Sequence, residues 1–204
     1  MRTTVVFDLG GVLIDWNPRH LFHKLFLEDD AGMEHFLAEI CTGTWNLEQD
    51  AGRGWAEATA LLKADHPGHE AMIDAYYHRW PEMIGGAIPG TVEILRRLKA
   101  KRTPLYALTN WSRETFPVAL ERFEFMHWFD GIVVSGQEKL IKPDPRIYQI
   151  LIQRYSLRPE DLVYIDDNPG NAAAAATLGM HAIHFLSPEL LSEELRLLGL
   201  LPSS

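Results

Sequence analysis

The chain has 204 residues, of which 47% are apolar and 23% charged, and this composition is typical of a folded globular protein rather than a disordered one. Lysine and arginine number 19 against 28 aspartates and glutamates, so the formal net charge is −9. That acidic balance argues against nucleic acid or an anionic membrane as the main partner. The single cysteine, Cys41, excludes an internal disulfide framework and a thiolate metal cluster.

The N-terminal segment has too short an apolar run before Asp8 for a secretory signal peptide. No stretch reaches the roughly 18 uninterrupted apolar residues that a membrane span requires. We therefore expect a soluble, cytoplasmic protein with neither membrane nor nucleic acid among its partners. The sequence leaves the oligomeric state open.

The first predicted strand, Thr3–Phe7, is followed by a long stretch with helical patterns only, from about Asp15 to Gly86. Asn17 and Pro18 look like the N-cap and first residue of its opening helix. Further helical patterns cover Met33–Cys41, Ala51–Ala64 and His69–Met83. The stretch holds four of the six tryptophans, which we interpret mainly as the core of a helical insertion.

Strands and helices alternate in the rest of the chain. The predicted strands are Pro104–Leu108, Gly131–Ser135, Leu162–Ile165 and His181–Phe185. The predicted helices are Ser112–Phe123, Pro145–Tyr155, Gly170–Leu178 and Pro188–Leu198. Short apolar strands separated by helices are typical of a parallel sheet covered on both faces. The sequence therefore predicts an α/β fold with a doubly wound parallel sheet.

The insertion divides the predicted protein into two parts. Residues 1–14 and 86–204 are predicted to form the α/β core domain, and residues 15–85 an α-helical cap domain inserted after the first strand. Asp15–Trp16 and Gly85–Gly90 mark the predicted hinges between them.

Polar side chains follow the predicted strands at the points where the strands end. They are Asp8, Thr109, Asn110, Asp166 and Asp167, with Lys142 in a loop after the strand Gly131–Ser135. The carboxyl ends of the strands in an open parallel sheet form the edge where ligands bind. We therefore expect these side chains to meet, although they are far apart in the sequence.

The expected cluster carries an excess of negative charge. Asp8, Asp166 and Asp167 supply three carboxylates against the one ammonium of Lys142. Crowded carboxylates repel one another, and a set of oxygen ligands suits Mg²⁺, which also binds substrate phosphate. The sequence therefore predicts Mg²⁺ as the cofactor.

The same edge offers groups that can bind an anion. Gly10 and Gly11 follow Asp8 in a flexible turn whose backbone N–H groups can surround a phosphate. The Thr109 hydroxyl and the helix start near Ser112 are further donors. A carboxylate nucleophile, a metal, an ammonium and a hydroxyl together are typical of phosphoryl transfer.

Four segments resemble, in order and spacing, the motifs of the haloacid dehalogenase-like hydrolase superfamily. They are FDLGGVL around Asp8, LTN at Thr109, IKPDPRIY at Lys142 and YIDDNPGN at Asp166–Asp167. The helical insertion sits where the cap of the family sits. The sequence is most similar to the capped subfamily I, which includes 2-haloacid dehalogenases and sugar-phosphate phosphatases of the glucose-1-phosphatase type.

The resemblance implies roles for individual residues. Asp8 would be the nucleophile that forms an aspartyl-phosphate, and Lys142 would neutralise it and the transferring oxygens. Mg²⁺ would be held by Asp8, Asp167 and the backbone carbonyl of Gly10, with Asp166 as a direct or water-mediated ligand. Phosphate would be bound by Gly10, Gly11, Thr109, Asn110 and Lys142.

One position departs from the phosphatase pattern. Phosphatases of the family usually carry a second aspartate two residues after the nucleophile, as general acid and base, and here that position is Gly10. Positioned acid–base catalysis is typically worth about 10²–10⁴-fold in rate. The sequence offers no obvious replacement. Asp15 lies near in the chain, but a hinge or helix-start role suits it better.

These features favour a Mg²⁺-dependent phosphatase that acts on a small phosphomonoester, with a sugar phosphate as the first guess. Gly10 leaves two alternatives open. One is a metal-independent 2-haloacid dehalogenase, although Asp166 and Asp167 would be electrostatically awkward there without a cation. The other is a catalytically weakened protein that binds phosphate or a metabolite.

Overall fold

The computed structural model describes residues 3–202 and contains a five-stranded parallel sheet and a small two-stranded antiparallel sheet. Residues 1–2 and 203–204, which fall within the predicted core boundaries, lie outside the described residues. The strands are β1 (Thr4–Phe7), β2 (Ile14–Trp16), β3 (Ile84–Ala87), β4 (Leu105–Thr109), β5 (Gly131–Val134), β6 (Leu162–Asp166) and β7 (His181–His184).

Helices precede or follow nearly every strand. Those between β2 and β3 are α1 (Arg19–Phe26), α2 (Asp30–Glu39), α3 (Gly43–Asp50), α4 (Trp55–Asp65) and α5 (Glu70–His78). The others are α6 (Pro89–Ala100), α7 (Phe116–Arg122), α8 (Ser135–Glu138), α9 (Pro145–Arg154), α10 (Pro169–Thr177) and α11 (Pro188–Leu197). Short 3₁₀ helices cover Trp80–Met83, Glu124–Trp128 and Pro159–Asp161.

The five-stranded sheet has the order β5-β4-β1-β6-β7, and all four neighbouring pairs are parallel. Successive residues of the central strand β1 enter different apolar clusters, because side chains alternate across a strand. Val5 and Phe7 pack with residues of α6, α11 and the helices between β2 and β3, whereas Val6 packs with residues of α9 and α10. The predicted doubly wound α/β fold is confirmed.

The helical stretch differs in two ways from its prediction. It was expected to contain helices only, but β2 and β3 pair as antiparallel strands at its two ends. These strands are three and four residues long, which is too short for a recognisable alternation in the sequence. Both predicted boundaries, 14/15 and 85/86, fall within these strands, and the division into two domains stays a prediction.

Several helix boundaries also differ from the prediction. The helix expected over Ala51–Ala64 begins only at Trp55, and the preceding helix α3 was not predicted. Helix α6 was not predicted either, although Pro89 at its first position is a common helix start. Helix α1 begins at Arg19, one residue after the predicted start at Pro18, and the Asn17 side chain accepts from the Arg19 backbone N–H at 3.0 Å, as expected of the predicted cap.

Among residues 3–202, no helix is long and apolar enough to cross a membrane.

Candidate active site

The carboxyl ends of three neighbouring strands bring the predicted polar residues together. Strand β1 lies between β4 and β6, so Asp8, Thr109 and Asp166 emerge at the same edge of the sheet. All three side chains are buried, because the helices between β2 and β3 lie over this edge. The parallel register therefore converts three separate sequence positions into one site.

Lys142 is the buried cation of the site. Its Nζ lies 2.8 Å from Asp8 Oδ2 and 2.7 Å from Asp166 Oδ2, and it donates to the Leu108 carbonyl at 3.0 Å. These three acceptors use all three ammonium protons. Burial lowers the pKa of Lys142, but the Asp8 and Asp166 carboxylates outweigh that effect and raise it above the usual value. The side chain is therefore a fixed positive charge beside the predicted nucleophile.

The Asn110 side chain holds the backbone of Lys142. Asn110 Nδ2 donates to the Lys142 carbonyl at 3.1 Å, and Asn110 Oδ1 accepts from the Lys142 N–H at 2.8 Å. Both ends of the amide are thus engaged with the protein. The side chain positions the lysine, and the predicted contact of Asn110 with a phosphate stays a prediction.

Asp166 is surrounded by donors. Its Oδ2 accepts from Lys142 and, at 2.6 Å, from the Tyr164 hydroxyl. Its Oδ1 accepts from the Asn168 backbone N–H at 2.9 Å and from Asn171 Nδ2 at 3.0 Å. Four hydrogen bonds occupy most of the capacity of one carboxylate. Asp166 is therefore the least available of the three aspartates for a direct metal bond.

Asp8 has fewer partners. Its Oδ1 accepts from the Leu9 backbone N–H at 2.7 Å, and its Oδ2 faces Lys142. Burial is the largest influence on Asp8 and raises its pKa to about 7; Lys142 opposes the increase and Asp166 adds to it. Two carboxylates and one ammonium leave a local excess of negative charge here.

Asp167 packs against the turn that follows the nucleophile. Gly11 has a φ of +72°, and a Cβ at this position would overlap the Asp167 carboxylate. Glycine is therefore required both by the backbone conformation and by the close approach of the side chain. Burial and then the neighbouring Asp166 raise the pKa of Asp167.

The three aspartates fit a divalent cation. Asp8, Asp166 and Asp167 each offer an oxygen atom, and these atoms all lie within 4.8 Å of one another. Asp8 and Asp166 are buried beside the Lys142 ammonium, whereas Asp167 is exposed at the mouth of the cluster. Oxygen-only donors of this kind are the ligands that Mg²⁺ prefers.

A cavity of about 70 Å³ lies between this edge and the helices that cover it. Its lining residues are Gly10, Trp16, Asn46, Asp50, Trp80, Asn110 and Trp111. Three indole rings supply apolar walls, and the other side chains are a carboxyl and two amides. Gly10 and Asn110 link the cavity to the nucleophile, since Gly10 follows Asp8 by two residues and Asn110 holds Lys142.

Comparison with known proteins places this site in a family. The model of the haloacid dehalogenase-like hydrolases matches residues 3–179, which include all four motifs. The chain belongs to the haloacid dehalogenase-like hydrolases. The predicted membership of this family is thereby confirmed.

Relatives of this hydrolase differ in function and in length. It is 36% identical over 215 residues to acyl-CoA dehydrogenase family member 10 of Mus musculus, covering 95% of the chain but only 19% of that protein. It is 32% identical over 180 residues to a phosphorylated carbohydrates phosphatase of Thermotoga maritima, covering 88% of the chain and 83% of the relative. It is 27% identical over 195 residues to (S)-2-haloacid dehalogenase 1 of a Pseudomonas species, covering 87% and 82%.

Solved structures agree with the fold. The magnesium complex of the HAD family enzyme bt-2542 from Bacteroides thetaiotaomicron superimposes with a TM-score of 0.72 at 21% identity, covering 95% of this chain and 98% of that one. The same enzyme has been crystallised with magnesium and inorganic phosphate, and that complex gives a TM-score of 0.65 at 22% identity, covering 88% and 92%.

The tryptophans of the hydrolase serve two purposes. Trp45 and Trp55 pack with Tyr76, with ring centroids 5.2–5.7 Å apart, and form the predicted core between β2 and β3. Trp16 and Trp80, by contrast, line the cavity. Trp111 does both: it lines the cavity, and its ring centroid lies 5.4 Å from that of Trp80.

Asn46 and Asp50 are cavity residues that the sequence interpretation missed. Both lie on α3 and are buried, whereas Leu47 on the same helix is 38% exposed. The usual hydrophobic pattern of a helix predicts the opposite, with Leu47 facing the core and the polar side chains facing water. The signal that could have found them is the i, i+4 spacing of two polar residues beside the apolar Trp45.

Asp15, considered in the sequence as a neighbouring acid, points elsewhere. Its Oδ2 lies 3.0 Å from His20 Nε2 in a half-exposed pair beside Gly85. It is not among the described residues that line the cavity. The structure therefore assigns it to the junction at β2 and β3.

Proposed function

We propose that this hydrolase is a Mg²⁺-dependent phosphatase that cleaves a small phosphomonoester, with sugar phosphates as the first class to test. The observation that carries the proposal is the acidic cluster of Asp8, Asp166 and Asp167 around one buried ammonium. A dehalogenase that works without metal has no use for a third carboxylate in this position. The Thermotoga relative and the magnesium and phosphate complexes of the Bacteroides enzyme support the same choice.

The cation would be held by Asp8, Asp167 and the Gly10 carbonyl. When bound, it supplies charge neutralisation for the carboxylates and the phosphate oxygens. Asp166 accepts from Lys142 and so orients the ammonium toward Asp8. Asp166 is assigned this positioning role, and Asp8 and Asp167 the metal, because four hydrogen bonds already occupy the Asp166 carboxylate.

Catalysis would begin with attack by Asp8 on phosphorus. Lys142 keeps the carboxylate charged and compensates the negative charge of the transferring oxygens. The Thr109 hydroxyl and the Gly10 and Asn110 backbone N–H groups would bind the phosphate, whereas the Gly11 N–H donates to the Ile14 carbonyl at 2.9 Å and the Leu9 N–H to Asp8 itself. Water then hydrolyses the aspartyl-phosphate, and the burial of Asp8 keeps bulk water away until that step.

The first test is phosphate release from a panel of small phosphomonoesters, in Mg²⁺ and in EDTA. We expect release by the unmodified enzyme in Mg²⁺ only, and none by the Asp8→Asn variant. Asp15→Asn is the matched control, because Asp15 is a nearby aspartate that pairs with His20 outside the cavity. Mass spectrometry after rapid quenching should locate the phosphoryl group on Asp8.

A second candidate is hydrolysis of 2-haloacids. The Pseudomonas relatives and the absence of a carboxylate at Gly10 favour it. Halide release that persists in EDTA, together with no phosphate release from any ester, would replace the phosphatase proposal with this one.

A further inference from the structure

An alcohol that leaves a phosphomonoester needs a proton on its departing oxygen. A positioned acid that supplies this proton typically accelerates the step by about 10²–10⁴-fold. Among the described residues that line the cavity beside the nucleophile, Asp50 alone has a carboxyl side chain. The position two residues after Asp8 is Gly10, which offers no proton.

The cavity has room for a leaving group at that position. A Cβ on Gly10 would meet no atom within 4 Å, and its φ lies outside the left-handed region. Packing therefore does not require glycine here. The open space borders the loop of the nucleophile on one side and the cavity on the other.

Asp50 is held in the wall of the cavity that Gly10 also lines. Its backbone carbonyl accepts from the Ser135 hydroxyl at 2.6 Å, which ties the end of α3 to the start of α8. Its Oδ2 accepts from Asn46 Nδ2 at 3.1 Å, and Asn46 Oδ1 accepts from the Tyr76 hydroxyl at 3.4 Å. A carboxyl held by packing and by neighbouring hydrogen bonds can present a defined geometry to a ligand.

The surroundings of Asp50 allow both protonation states at neutral pH. Burial raises its pKa to about 7, while the Ser112 backbone amide and the Lys142 ammonium act in the opposite direction. Tyr76, on α5, is a further titratable group close to Asp50. Arg53 follows α3 in the chain; its Nε donates to Gln49, and its guanidinium pairs with Glu48.

Trp16 is a further cavity residue with a polar atom. Trp16 Nε1 is a buried donor that has no hydrogen-bond acceptor among the described residues. A buried donor left unpaired costs about 1–3 kcal/mol, so such groups usually meet a ligand or water. Trp16 and Asp50 together suit a leaving group that carries hydroxyl oxygens, flanked by indole rings.

We propose that Asp50 is the acid and base of the phosphatase: it protonates the oxygen of the departing alcohol and later accepts a proton from the attacking water. This inference rests on the proposed function. In the first step Asp8 forms a bond to phosphorus, the bond from phosphorus to the leaving oxygen breaks, and the proton passes from Asp50 to that oxygen. In the second step water bonds to phosphorus, its proton passes to Asp50, and the bond to Asp8 breaks.

The test compares two esters that differ in their need for a proton. The leaving group of p-nitrophenyl phosphate departs as a stable anion, whereas that of glycerol 3-phosphate does not. In Mg²⁺, we expect Asp50→Asn to lower kcat/KM, which covers the steps up to departure of the alcohol, by about 10²-fold or more on glycerol 3-phosphate and by less than about 10-fold on p-nitrophenyl phosphate. A change in helix packing would lower both rates alike.

Two controls accompany this comparison. Glu48→Gln removes a half-exposed carboxylate from the same helix, where it pairs with Arg53, and should leave the ratio of the two rates unchanged. Gly10→Asp in the Asp50→Asn background places a carboxyl in the open space and should restore at least about 10-fold on glycerol 3-phosphate.

Three results would overturn the inference. One is an equal loss on both esters, and another is an unchanged rate on glycerol 3-phosphate. The third is measured on the unmodified enzyme and serves if Asp50→Asn does not fold. A steep fall of kcat/KM across a series of esters with rising leaving-group pKa would exclude a positioned acid. No phosphate release from either ester by the unmodified enzyme would instead reject the proposed function, and this inference with it.

Discussion

The edge of the parallel sheet and the cavity above it hold their polar groups in contrasting ways. At the edge, Lys142 and Asp166 have acceptors and donors on every side, all within 3.0 Å. In the cavity, Trp16 Nε1 has no hydrogen-bond partner among the described residues, and the Asp50 carboxyl meets only neutral donors, Asn46 Nδ2 and the Ser112 backbone amide. The polar groups of the edge are thus satisfied by the protein, whereas the cavity keeps hydrogen-bonding groups that a ligand could meet.

This contrast separates the attack on phosphorus from proton transfer and recognition of the leaving alcohol within one fold. The groups proposed to act on phosphorus come from strand ends, where the sheet fixes their positions to the register of its strands. The groups proposed to meet the leaving alcohol come from β2, α3 and the 3₁₀ helix Trp80–Met83. A change in the helical stretch can therefore alter the substrate without disturbing the attack on phosphorus.

Lys142→Met should have the largest effect, because it removes the charge that balances the edge. Asp8 and Asp166 would then face each other in a buried site with no cation from the protein. Breaking a buried pair by removing one partner typically costs about 3–5 kcal/mol of unfolding free energy. We expect a loss of that size in urea unfolding, together with loss of measurable phosphate release.

Lys24→Met is the matched control for this variant. Lys24 pairs with Glu82 at 3.0 Å, but both side chains are substantially exposed. Exposed pairs contribute about 0–1 kcal/mol, so this variant should unfold and turn over much as the unmodified protein does. Equal destabilisation by the two substitutions would contradict the view that the edge depends on one buried charge.

Asp167→Asn and Asp166→Asn should separate metal binding from lysine positioning. Asp167 has few protein donors and lies against Gly11, so its loss should weaken Mg²⁺ binding by at least about 10-fold in calorimetry. Asp166 is saturated by protein donors, and its loss should lower kcat while changing Mg²⁺ affinity less. The reverse pattern would reassign the two carboxylates.

The α/β fold was predictable because its signals are local. Runs such as Leu162–Ile165 are apolar and β-rich, and Pro145 after Asp144 marks a helix start that the structure places as predicted. The strands β2 and β3 were not predictable, since three or four residues carry no period. The two strands are about 70 residues apart in the sequence and meet only in the folded protein.

The proximity of the edge residues was predictable for a topological reason. Parallel strands deliver their last residues to one side, so Asp8, Thr109 and Asp166 had to be neighbours once the sheet was assumed. No such rule places Asn46 and Asp50, which lie within a helix whose orientation is decided by packing. The exposed Leu47 shows that tertiary contacts there override the usual hydrophobic pattern.

The smallest expected effect is a gain in stability. Burial raises the pKa of Asp50 from its ordinary value of 3.8 to about 7, so the folded protein holds this proton more tightly than the unfolded chain does. The stability from that proton is present below about pH 4 and is lost as the pH rises through 7. A pKa difference of this size corresponds to about 4 kcal/mol at most.

Asp50→Asn removes the charge that has to be buried at alkaline pH. We expect it to raise the unfolding free energy at pH 8 by roughly 1–3 kcal/mol, with little change at pH 4.5. Urea unfolding at both pH values measures the difference, and Glu48→Gln should show no comparable pH dependence, because that side chain is about half exposed. A loss of stability at pH 8 would mean that the Asp50 carboxylate is held by its partners rather than strained by burial. A gain would indicate that the cavity keeps this acid at the expense of folding stability, as expected of a group retained for a ligand.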